Sequence, residues 1–246
     1  MIDIQHGDCV GLMAVLAPGS IKTIFADPPY NTGNKKDKTV AYDQNKDFQR
    51  KHWTNFHAEW DTIDRYYAWS LRWLRAAYRV LDDGGSLWVC GSFHSIPESA
   101  LALRKAGFWT IQWVSWCIPN AFPHLAGKQM GNANQTLIWA RKGKRHFYDY
   151  ERAKLYTTRG TNLRDYWIIP NDCSAGRLWK HPSKKPVNLV LRALDISTPK
   201  AAGALVLDPF AGSGTTGLAA QQLGLDCVLM DSSAEYIALM NRRIAA

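Results

Sequence analysis

The chain of 246 residues is long enough to bury the core of one large α/β domain. Because 46% of its residues are hydrophobic, an intrinsically disordered protein is excluded. The five cysteines are an odd number and include no Cys-x-x-Cys pair, which argues against a disulfide framework or a zinc site and favours reduced thiols in the cytoplasm. No apolar run approaches the length of a membrane span, and Met1 leads directly into a strand-like segment with no signal peptide.

The net charge of +9 is concentrated in one part of the chain. The stretch 141–192 carries thirteen Lys and Arg against four Asp and Glu, and this excess of nine equals that of the whole chain. Such a local excess is typical of a protein that contacts a polyanion. A solvated basic surface with no polyanion partner would give the same composition, so charge alone leaves both interpretations open.

The predicted elements alternate between strands and helices, which indicates a largely parallel sheet covered by helices on both faces. In the first part of the chain we expect strands at 2–5 and 21–26, a helix at 64–81, a strand at 86–91, a helix at 96–106, and strands at 108–116 and 135–140. After Ala140 the sequence is basic and aromatic without a clean period, and we interpret it as a small inserted recognition region. Regular elements return as a helix at 186–194, a strand at 204–208, a helix at 215–223, a strand at 226–231 and a helix at 233–243.

The strand at 21–26 ends in Asp27-Pro28-Pro29-Tyr30, a rigid turn with a carboxylate. An amino group conjugated to a nucleobase ring is a poor nucleophile, because its lone pair is delocalised. Two acceptors aimed at its hydrogens would help it to pyramidalise and would stabilise the positive charge that develops as it attacks an electrophile. The Asp27 carboxylate and the Pro28 carbonyl could form such a pair, with Tyr30 stacked on a base that has rotated out of the duplex. A Pro-Pro turn capped by Asp, without a catalytic role, is the alternative.

A second polar turn, Asp208-Pro-Phe-Ala-Gly-Ser-Gly-Thr-Thr216, joins a predicted strand to a predicted helix. Gly212 and Gly214 would let a ligand lie against the backbone, next to the unpaired N–H groups of the helix. The next strand ends at Asp231, close to where an acid that binds ribose hydroxyls belongs. Because the third glycine of a dinucleotide site is missing, we favour a mononucleoside-type ligand over NAD. A tight packing corner would also explain the two glycines taken alone.

Together these motifs resemble those of a known family, the DNA amino-methyltransferases that methylate adenine N6 or cytosine N4 with S-adenosylmethionine. The segment 27–31 matches the catalytic motif and 208–216 matches the cofactor glycine motif. His-Pro-Ser-Lys-Lys-Pro at 181–186 matches the H-P-x-x-K-P element, and His-Gly-Asp at 6–8 resembles the acidic strand end that contacts the cofactor's adenine. The order of the motifs is that of the β class.

The resemblance implies a Rossmann-like methyltransferase fold with a mostly parallel, seven-stranded sheet, helices on both faces and a circularly permuted motif order. Its parts would be a catalytic half at 1–140 with a mobile loop at 31–60, a target-recognition region at 141–180, and a cofactor-binding half at 181–246. The implied catalytic residues are Asp27, Pro28, Pro29 and Tyr30. The implied cofactor-binding residues are Asp8, Cys9, Asp27, Lys185, Asp208, Phe210, Ala211, Gly212, Ser213, Gly214, Thr215 and Asp231.

Three of the implied cofactor contacts leave a question open. The family usually has Glu where this chain has Asp231, so a contact with the ribose would be longer or bridged by water. Lys185 would hold the cofactor's carboxylate, but the adjacent Lys184 could take its place. Asp8 would accept from the cofactor's adenine, or it caps a helix that begins near Val10.

The resemblance also implies direct transfer of a methyl group from S-adenosylmethionine, which becomes S-adenosylhomocysteine, without a metal ion. The expected partner is double-stranded DNA and not a membrane, in a bacterial cytoplasm, with the gene carried by the bacterium or by a phage. A monomer or a homodimer is expected, and a cognate restriction endonuclease is an open question. The Asp at the first position of the catalytic motif favours adenine N6, since cytosine-N4 members more often have Ser there. The alternatives are a cytosine-N4 enzyme and a non-catalytic DNA-binding protein on a methylase scaffold.

Two segments are expected to contact the DNA. In the loop at 31–60, Trp53 or Phe56 could fill the vacated stack, unless the loop is only a solvated surface. Its candidates for phosphate contacts are Lys35, Lys36, Lys38, Arg50 and Lys51. In the recognition region, the arginines that could read a guanine or contact a phosphate are Arg145, Arg152, Arg159, Arg164 and Arg177.

Overall fold

The computed structural model of the protein describes residues 1–31, 63–121, 130–172 and 184–245. In these residues the strands are β1 (Ile2–His6), β2 (Ile21–Ala26), β3 (Leu81–Gly91), β4 (Trp109–Cys117), β5 (Asn134–Arg141), β6 (Tyr166–Ile168), β7 (Leu205–Asp208) and β8 (Asp226–Asp231). The helices are α1 (Cys9–Val15), α2 (Tyr66–Val80), α3 (Ile96–Ala106), α4 (Tyr150–Leu155), α5 (Val187–Ser197), α6 (Thr215–Gln222) and α7 (Ala234–Ala245).

The described strands form one sheet in the order β1-β8-β7-β2-β3-β5-β4-β6. Strand β5 is antiparallel to its neighbours β3 and β4, whereas the other described pairs are parallel. The mostly parallel α/β fold is therefore confirmed, but the sheet has eight described strands instead of the expected seven. The extra strand, β6, pairs with β4 at the sheet edge. Its three residues are too few for the alternation by which a strand is predicted.

Helices cover both faces of the sheet and enclose two separate cores. On one face α1, α2 and α3 pack against the strands, with Met13 and Leu103 fully buried. On the other face α4, α5, α6 and α7 do the same, with Leu189 and Met240 fully buried. This double covering explains why the central strands read as continuous apolar runs and not as alternating ones.

The boundary between α2 and β3 differs from the prediction. The helix ends at Val80, and Leu81 already pairs with Ile21 of β2. The Asp-Asp-Gly-Gly segment after Leu81, which predicted a stop, is instead the start of the long strand β3. A shift in register between Ile21 and Thr23 and an ion pair between Lys22 and Asp82 accommodate these polar residues in the sheet.

Three tryptophans hold the edge strand β6 to the rest of the sheet. The indole of Trp88 in β3 stacks on that of Trp139 in β5, with ring centroids 5.1 Å apart and the rings 4° from parallel. The Trp167 ring of β6 lies 5.5 Å from Trp88, and its exposed fraction is only 2%. Aromatic rings of this size bury enough apolar surface to anchor a three-residue strand.

The cysteines of the described residues are free thiols, namely Cys9, Cys90, Cys117 and Cys227. Burial and the neighbouring Asp8 carboxylate raise the pKa of Cys9 to about 12, so this thiol stays protonated and packs as an apolar side chain. Cys173 lies outside the described residues. No helix in the described ranges is long and apolar enough to cross a membrane.

The chain leads away from the centre of the sheet in two directions. From β7 it passes through α6 to β8 on one side, and from β2 it reaches α2 and β3 on the other. Neighbouring parallel strands whose connections diverge in this way leave a crevice at their carboxyl ends. The crevice between β7 and β2 is therefore the place where this fold offers a binding site.

Candidate active site

Three carboxylates meet at the carboxyl edge of the sheet. Asp231 ends β8, Asp208 ends β7, and Asp27 follows the last residue of β2, and these three strands are neighbours in the sheet. The two turns that the sequence singled out, at Asp27 and at Asp208, thus flank the same crevice. Their side-by-side position follows from the pairing of β2 with β7.

The Asp27 carboxylate has a partner on each oxygen. Lys185 Nζ lies 2.7 Å from Oδ2, and the Tyr30 hydroxyl donates to Oδ1 over 2.8 Å. The Lys185 side chain is only 5% exposed and the Asp27 side chain 19%, so the ion pair is largely shielded from water. Burial and the Asp27 charge raise the pKa of Tyr30 well above its ordinary value, which keeps this phenol a hydrogen-bond donor.

Further contacts fix the shape of the Asp-Pro-Pro-Tyr turn. The Tyr66 hydroxyl at the start of α2 donates to the Pro29 carbonyl over 2.7 Å. Asn31 has a φ of 56° and accepts from the Ile63 N–H over 2.8 Å, which closes the turn against the next described segment. The Tyr30 hydroxyl also lies 3.0 Å from the side-chain oxygen of Gln135 in β5. Tyr66 and Gln135 were not singled out in the sequence, because neither belongs to a motif.

The glycine turn is built around Asp208, which is 3% exposed. One carboxylate oxygen accepts from the Phe210 N–H over 2.9 Å, and the other accepts from the Thr216 hydroxyl. Burial, with smaller contributions from Asp27 and Asp231, raises the pKa of Asp208 to about 7. This carboxyl group therefore titrates near neutral pH.

Gly214 shows why a glycine is needed where α6 begins. Its φ is +79°, in the left-handed region, and a Cβ added to it would lie 2.9 Å from Cγ of Met240 in α7. The absence of a side chain thus lets the turn pack directly against α7. Gly212, with a φ of 51°, also adopts a left-handed conformation.

Asp231 ties the glycine turn to the end of β8. Its carboxylate accepts from the Gly212 N–H and from the Ser233 N–H, each over 2.8 Å. Burial raises the pKa of Asp231, and these backbone donors oppose that effect. Since each carboxylate oxygen has more than one lone pair, further donors could still be accepted.

Arg243 is a site component that the sequence did not reveal. It lies near the end of α7 and is 7% exposed. Its Nη1 donates to the Ser213 carbonyl over 2.8 Å, to the Ser213 hydroxyl over 2.9 Å and to the Thr215 hydroxyl over 3.1 Å. Arginine is common in the last turn of a helix, so its position gave no signal that it points inward.

Lys185 connects the two turns. Its carbonyl accepts from the Thr215 hydroxyl over 3.2 Å, while its ammonium group contacts Asp27. The neighbouring Lys184 turns the other way and pairs with Asp172 over 2.9 Å. Lys185 is thus the lysine that points into the crevice, although in this structure its ammonium group lies on a carboxylate of the protein. Residues 181–183 of the same motif lie outside the described residues.

The remaining predicted cofactor residues take varied positions. Asp8 is exposed and caps α1, since its carboxylate accepts from the N–H groups of Val10 and Gly11 over 3.1 and 3.2 Å. Cys9 is buried in the first turn of that helix. The Phe210 ring packs on Trp69 and Trp73 of α2. The Ala211 N–H donates to the Met230 carbonyl over 2.9 Å.

The arrangement suits a positively charged nucleoside and a polar second substrate. Three carboxylates line the crevice, and the glycine turn offers the N-terminus of α6 to an anionic group. Within the described ranges, no group of three or more His, Cys, Asp or Glu side chains could hold a metal ion. The chemistry of the donor set therefore fits S-adenosylmethionine, whose sulfonium is cationic and whose methionine end carries a carboxylate.

Comparison with known proteins agrees with this geometry. The profile of a DNA methylase family, N6_N4_Mtase, matches residues 21–242. The Type II methyltransferase M2.LlaDCHI of Lactococcus lactis subsp. cremoris is 32% identical to this chain over an alignment of 254 positions. The alignment covers 98% of this chain and 88% of the relative. The Type II methyltransferase M2.DpnII of Streptococcus pneumoniae is 32% identical over an alignment of 256 positions, which covers 99% of this chain and 89% of the relative.

Solved structures show the same fold. The M1.HpyAVI–SAM complex superimposes with a TM-score of 0.71 at 23% identity, covering 100% of both chains. The PvuII DNA methyltransferase, which is cytosine-N4-specific, gives a TM-score of 0.75 at 20% identity, covering 98% of this chain and 86% of that chain. The family match, the relatives and the shared fold confirm the resemblance seen in the motifs. The chain belongs to the N6/N4 DNA methylase family of amino-methyltransferases, whose methyl donor is S-adenosylmethionine.

Proposed function

We propose that the protein is a site-specific DNA methyltransferase that methylates N6 of an adenine rotated out of double-stranded DNA. The observation that carries the proposal is the placement of Asp27 beside the glycine turn, in the crevice between β2 and β7. An amino nitrogen bound at Asp27 would face a donor bound along Gly212–Gly214. Proximity of this kind turns a reaction between two molecules into one between aligned groups.

Asp27 would act as an ionised acceptor that orients the adenine amino group. Lys185 and Tyr30 each occupy one direction on its carboxylate, but a carboxylate accepts about four hydrogen bonds, so there is room for the amino group. The Pro28 carbonyl would take the second hydrogen of that group. A strong base is not required, because the nitrogen becomes acidic only as it gains the methyl group. Tyr30, held by Asp27 and Gln135, would stack on the base.

The glycine turn and its carboxylates would hold the methyl donor. When bound, S-adenosylmethionine supplies a methyl group that is already activated by its sulfonium charge. Asp208 would offset that charge, and Asp231 would accept from the ribose hydroxyls in addition to the two backbone N–H groups that it already binds. Asp8 would contact the adenine of the donor in addition to capping α1.

Adenine is favoured over cytosine by the first residue of the catalytic motif, since cytosine-N4 members more often have Ser in the place of Asp27. The fold cannot discriminate between them, because the cytosine-N4-specific PvuII enzyme shares it. Methylation of cytosine N4 is therefore the second candidate. Both reactions use the same acceptors around an exocyclic amino group.

The division of the chain belongs to the same proposal. Residues 1–140 and 181–246 would form the two halves of the catalytic domain, and 141–180 would recognise the DNA sequence. The described part of that region contributes α4 and the edge strand β6 to the main fold. The loop at 31–60 apart from Asn31, and with it Trp53 and Phe56, lies outside the described residues, as does Arg177.

The decisive experiment is incubation with tritiated S-adenosylmethionine and unmethylated genomic DNA, followed by digestion to nucleosides. Label in N6-methyldeoxyadenosine supports the proposal, and label in N4-methyldeoxycytidine supports the second candidate. DNA that stays unlabelled although it binds the protein would instead support a non-catalytic DNA-binding protein. The Asp27→Asn variant is the control for contaminating methyltransferases.

A further inference from the structure

Arg192 in α5 has an unusual environment for an arginine. Its guanidinium carbon lies 5.0 Å from the ring centroid of Tyr156 and 5.3 Å from that of Trp167. Within the described residues it forms no ion pair, and its buried Nε atom has no hydrogen-bond partner. A guanidinium that is held by rings and left without an acceptor is prepared to bind an anion from outside.

The nearby carboxylate of Asp195 is already in use. One of its oxygens accepts from Arg152 over 2.8 Å and lies 3.1 Å from Lys200 Nζ. The other oxygen accepts from the Tyr156 hydroxyl over 2.8 Å. Tyr156 is thus oriented by Asp195, so its ring stays against Arg192. The contact with the Tyr156 ring therefore holds the Arg192 guanidinium in place without neutralising its charge.

Arg192 also lines a cavity of about 280 Å³ that opens beside the end of β6. Because Asn188, Leu191 and Arg192 are spaced i, i+3 and i+4, one face of α5 provides three of its lining residues. Ile168, Ile169 and Pro170, at and after the end of β6, provide three more. Tyr156 is the remaining lining residue. The site is therefore apolar and aromatic apart from Asn188, the Tyr156 hydroxyl and one unpaired cation.

The cavity lies at the same edge of the sheet as the active site. Strand β6 is parallel to β4, and Ile169 continues from its carboxyl end. Helix α5 begins two residues after Lys185, the residue that contacts Asp27. Seven residues along a helix span about 10 Å, so Arg192 lies within about 10 Å of Lys185 along this segment. A duplex that presents its target base to Asp27 would border the cavity that Arg192 lines, because Asp27 and the cavity lie at the same edge of the sheet.

We propose that Arg192 binds a backbone phosphate of the DNA substrate, a few nucleotides from the target base. The inference rests on the proposed function, and it selects one residue from the basic stretch 141–192. The expected partner is a phosphodiester, because the local excess of positive charge is complementary to a polyanion. Arg192 would position the duplex and not read its sequence.

The test is the salt dependence of binding to a fluorescein-labelled duplex of mixed sequence, followed by anisotropy. Loss of one phosphate contact should lower the slope of log K against log salt by about 0.9. We expect this decrease in Arg192→Gln, with a Kd raised about tenfold at low salt. Arg192→Lys should keep most of the slope, since it keeps the charge. The matched control is Arg104→Gln, which removes an exposed arginine at the far end of α3.

Equal slopes for Arg192→Gln and Arg104→Gln would overturn the inference. A lower melting temperature with an unchanged slope would show that Arg192 only packs α4 against β6. Should Arg192→Gln fail to fold, Asn188→Asp at an exposed position tests the same site, because its carboxylate should pair with Arg192 and weaken DNA binding. An unchanged Kd in Asn188→Asp would then count against the proposal.

The outcomes separate the two proposals. If the wild-type protein methylates DNA but its salt slope does not depend on Arg192, the inference about Arg192 alone fails. If the wild-type protein transfers no methyl group but its binding to DNA depends on Arg192, the proposed function fails and the phosphate contact stands. Affinity for S-adenosylmethionine, measured by calorimetry, should be unchanged in all these variants.

Discussion

The three carboxylates at the crevice differ in their counter-charges. Asp27 faces the ammonium group of Lys185, whereas Asp208 and Asp231 are held by N–H and hydroxyl donors. Burial raises the pKa of Asp208, and the hydrogen bonds from Thr216 and Phe210 offset this effect only in part. The crevice can therefore gain negative charge near neutral pH, just where a cationic donor would bind.

We expect S-adenosylmethionine to bind up to about tenfold more tightly at pH 8 than at pH 6, through the ionisation of Asp208. Below its pKa of about 7 the group carries a proton and does not attract the sulfonium, whereas above that pH it is ionised. Calorimetry at pH 6, 7 and 8 measures the change, and binding at pH 7 should release about half a proton per protein molecule on average. Asp208→Asn should bind weakly at every pH, and an unaltered pH dependence in this variant would assign the effect to another group.

Asp27→Asn should lower kcat by a factor of about 100 to 1,000, because an amide is a poorer acceptor for the developing charge. The affinity for S-adenosylmethionine should stay within a few-fold of wild type. Single-turnover transfer of tritium to DNA gives the rate. Asp82→Asn is the matched control, since it also removes a carboxylate paired with a lysine, but at the amino end of β3. Transfer by Asp27→Asn as fast as by Asp82→Asn would exclude the proposed role.

At the residue scale the sequence was informative where polar residues follow apolar strands. Asp27, Asp208 and Asp231 could be predicted because each stands at the end of such a strand. The contact between Lys185 and Asp27 could not, since 158 positions separate them and only the folded sheet brings them together.

Among the elements, the glycine turn and α7 depend on each other. The turn can pack closely only because Gly214 has no side chain facing Met240, and Arg243 of α7 binds the turn from behind. A side chain at position 214 would thus destabilise the protein in two ways, through the left-handed backbone and through the lack of space. The two effects can be separated by comparing two glycines that both have a left-handed backbone, only one of which lacks space for a side chain.

Gly214→Ala should lower the melting temperature and weaken binding of S-adenosylmethionine more than Gly224→Ala does. Both glycines have positive φ, at +79° and +67°, so each alanine carries the cost of about 1–2 kcal/mol for a left-handed residue. A Cβ at Gly224 would have no atom within 4 Å, whereas one at Gly214 would clash with Met240. Thermal melts with and without ligand measure both effects. Equal losses in the two variants would mean that the contact with Met240 has no energetic consequence.

Elements with an apolar pattern of their own could be predicted, whereas α4 and β6 could not. The helix α2 has an apolar stripe that sets its period, and its observed bounds differ from the expected ones by only one or two residues. In contrast, α4 and β6 are short and arise in a basic, aromatic stretch without a period. Their stability comes from buried contacts such as those of Trp167 and Ala153, which no local pattern reveals.

For the whole molecule, the order of the motifs along the chain differs from their arrangement in space. The catalytic turn comes near the beginning and the glycine turn near the end, yet β2 and β7 are adjacent. The strand order was not predicted, because periodicity indicates elements but not their pairing. The uneven distribution of the net charge was the other global feature that the sequence provided.

Salt should separate the two binding reactions of the protein. Between about 50 and 200 mM salt we expect the affinity for duplex DNA to fall at least tenfold, because phosphate contacts release counterions. The affinity for S-adenosylmethionine, bound between buried groups, should change less than about twofold. Anisotropy and calorimetry in the same buffers provide the comparison. DNA binding that is insensitive to salt would contradict a phosphate-contacting role for the stretch 141–192.

The bonds from Arg243 to Ser213 and Thr215 have a consequence for turnover. They hold the glycine turn in one shape through contacts within the protein. A turn held in this way also fits the product, which differs from the donor only by one methyl group and by the sulfonium charge that Asp208 would attract. The demethylated product should therefore compete with fresh donor for the same place, and repeated cycles would depend on how quickly the cell removes S-adenosylhomocysteine.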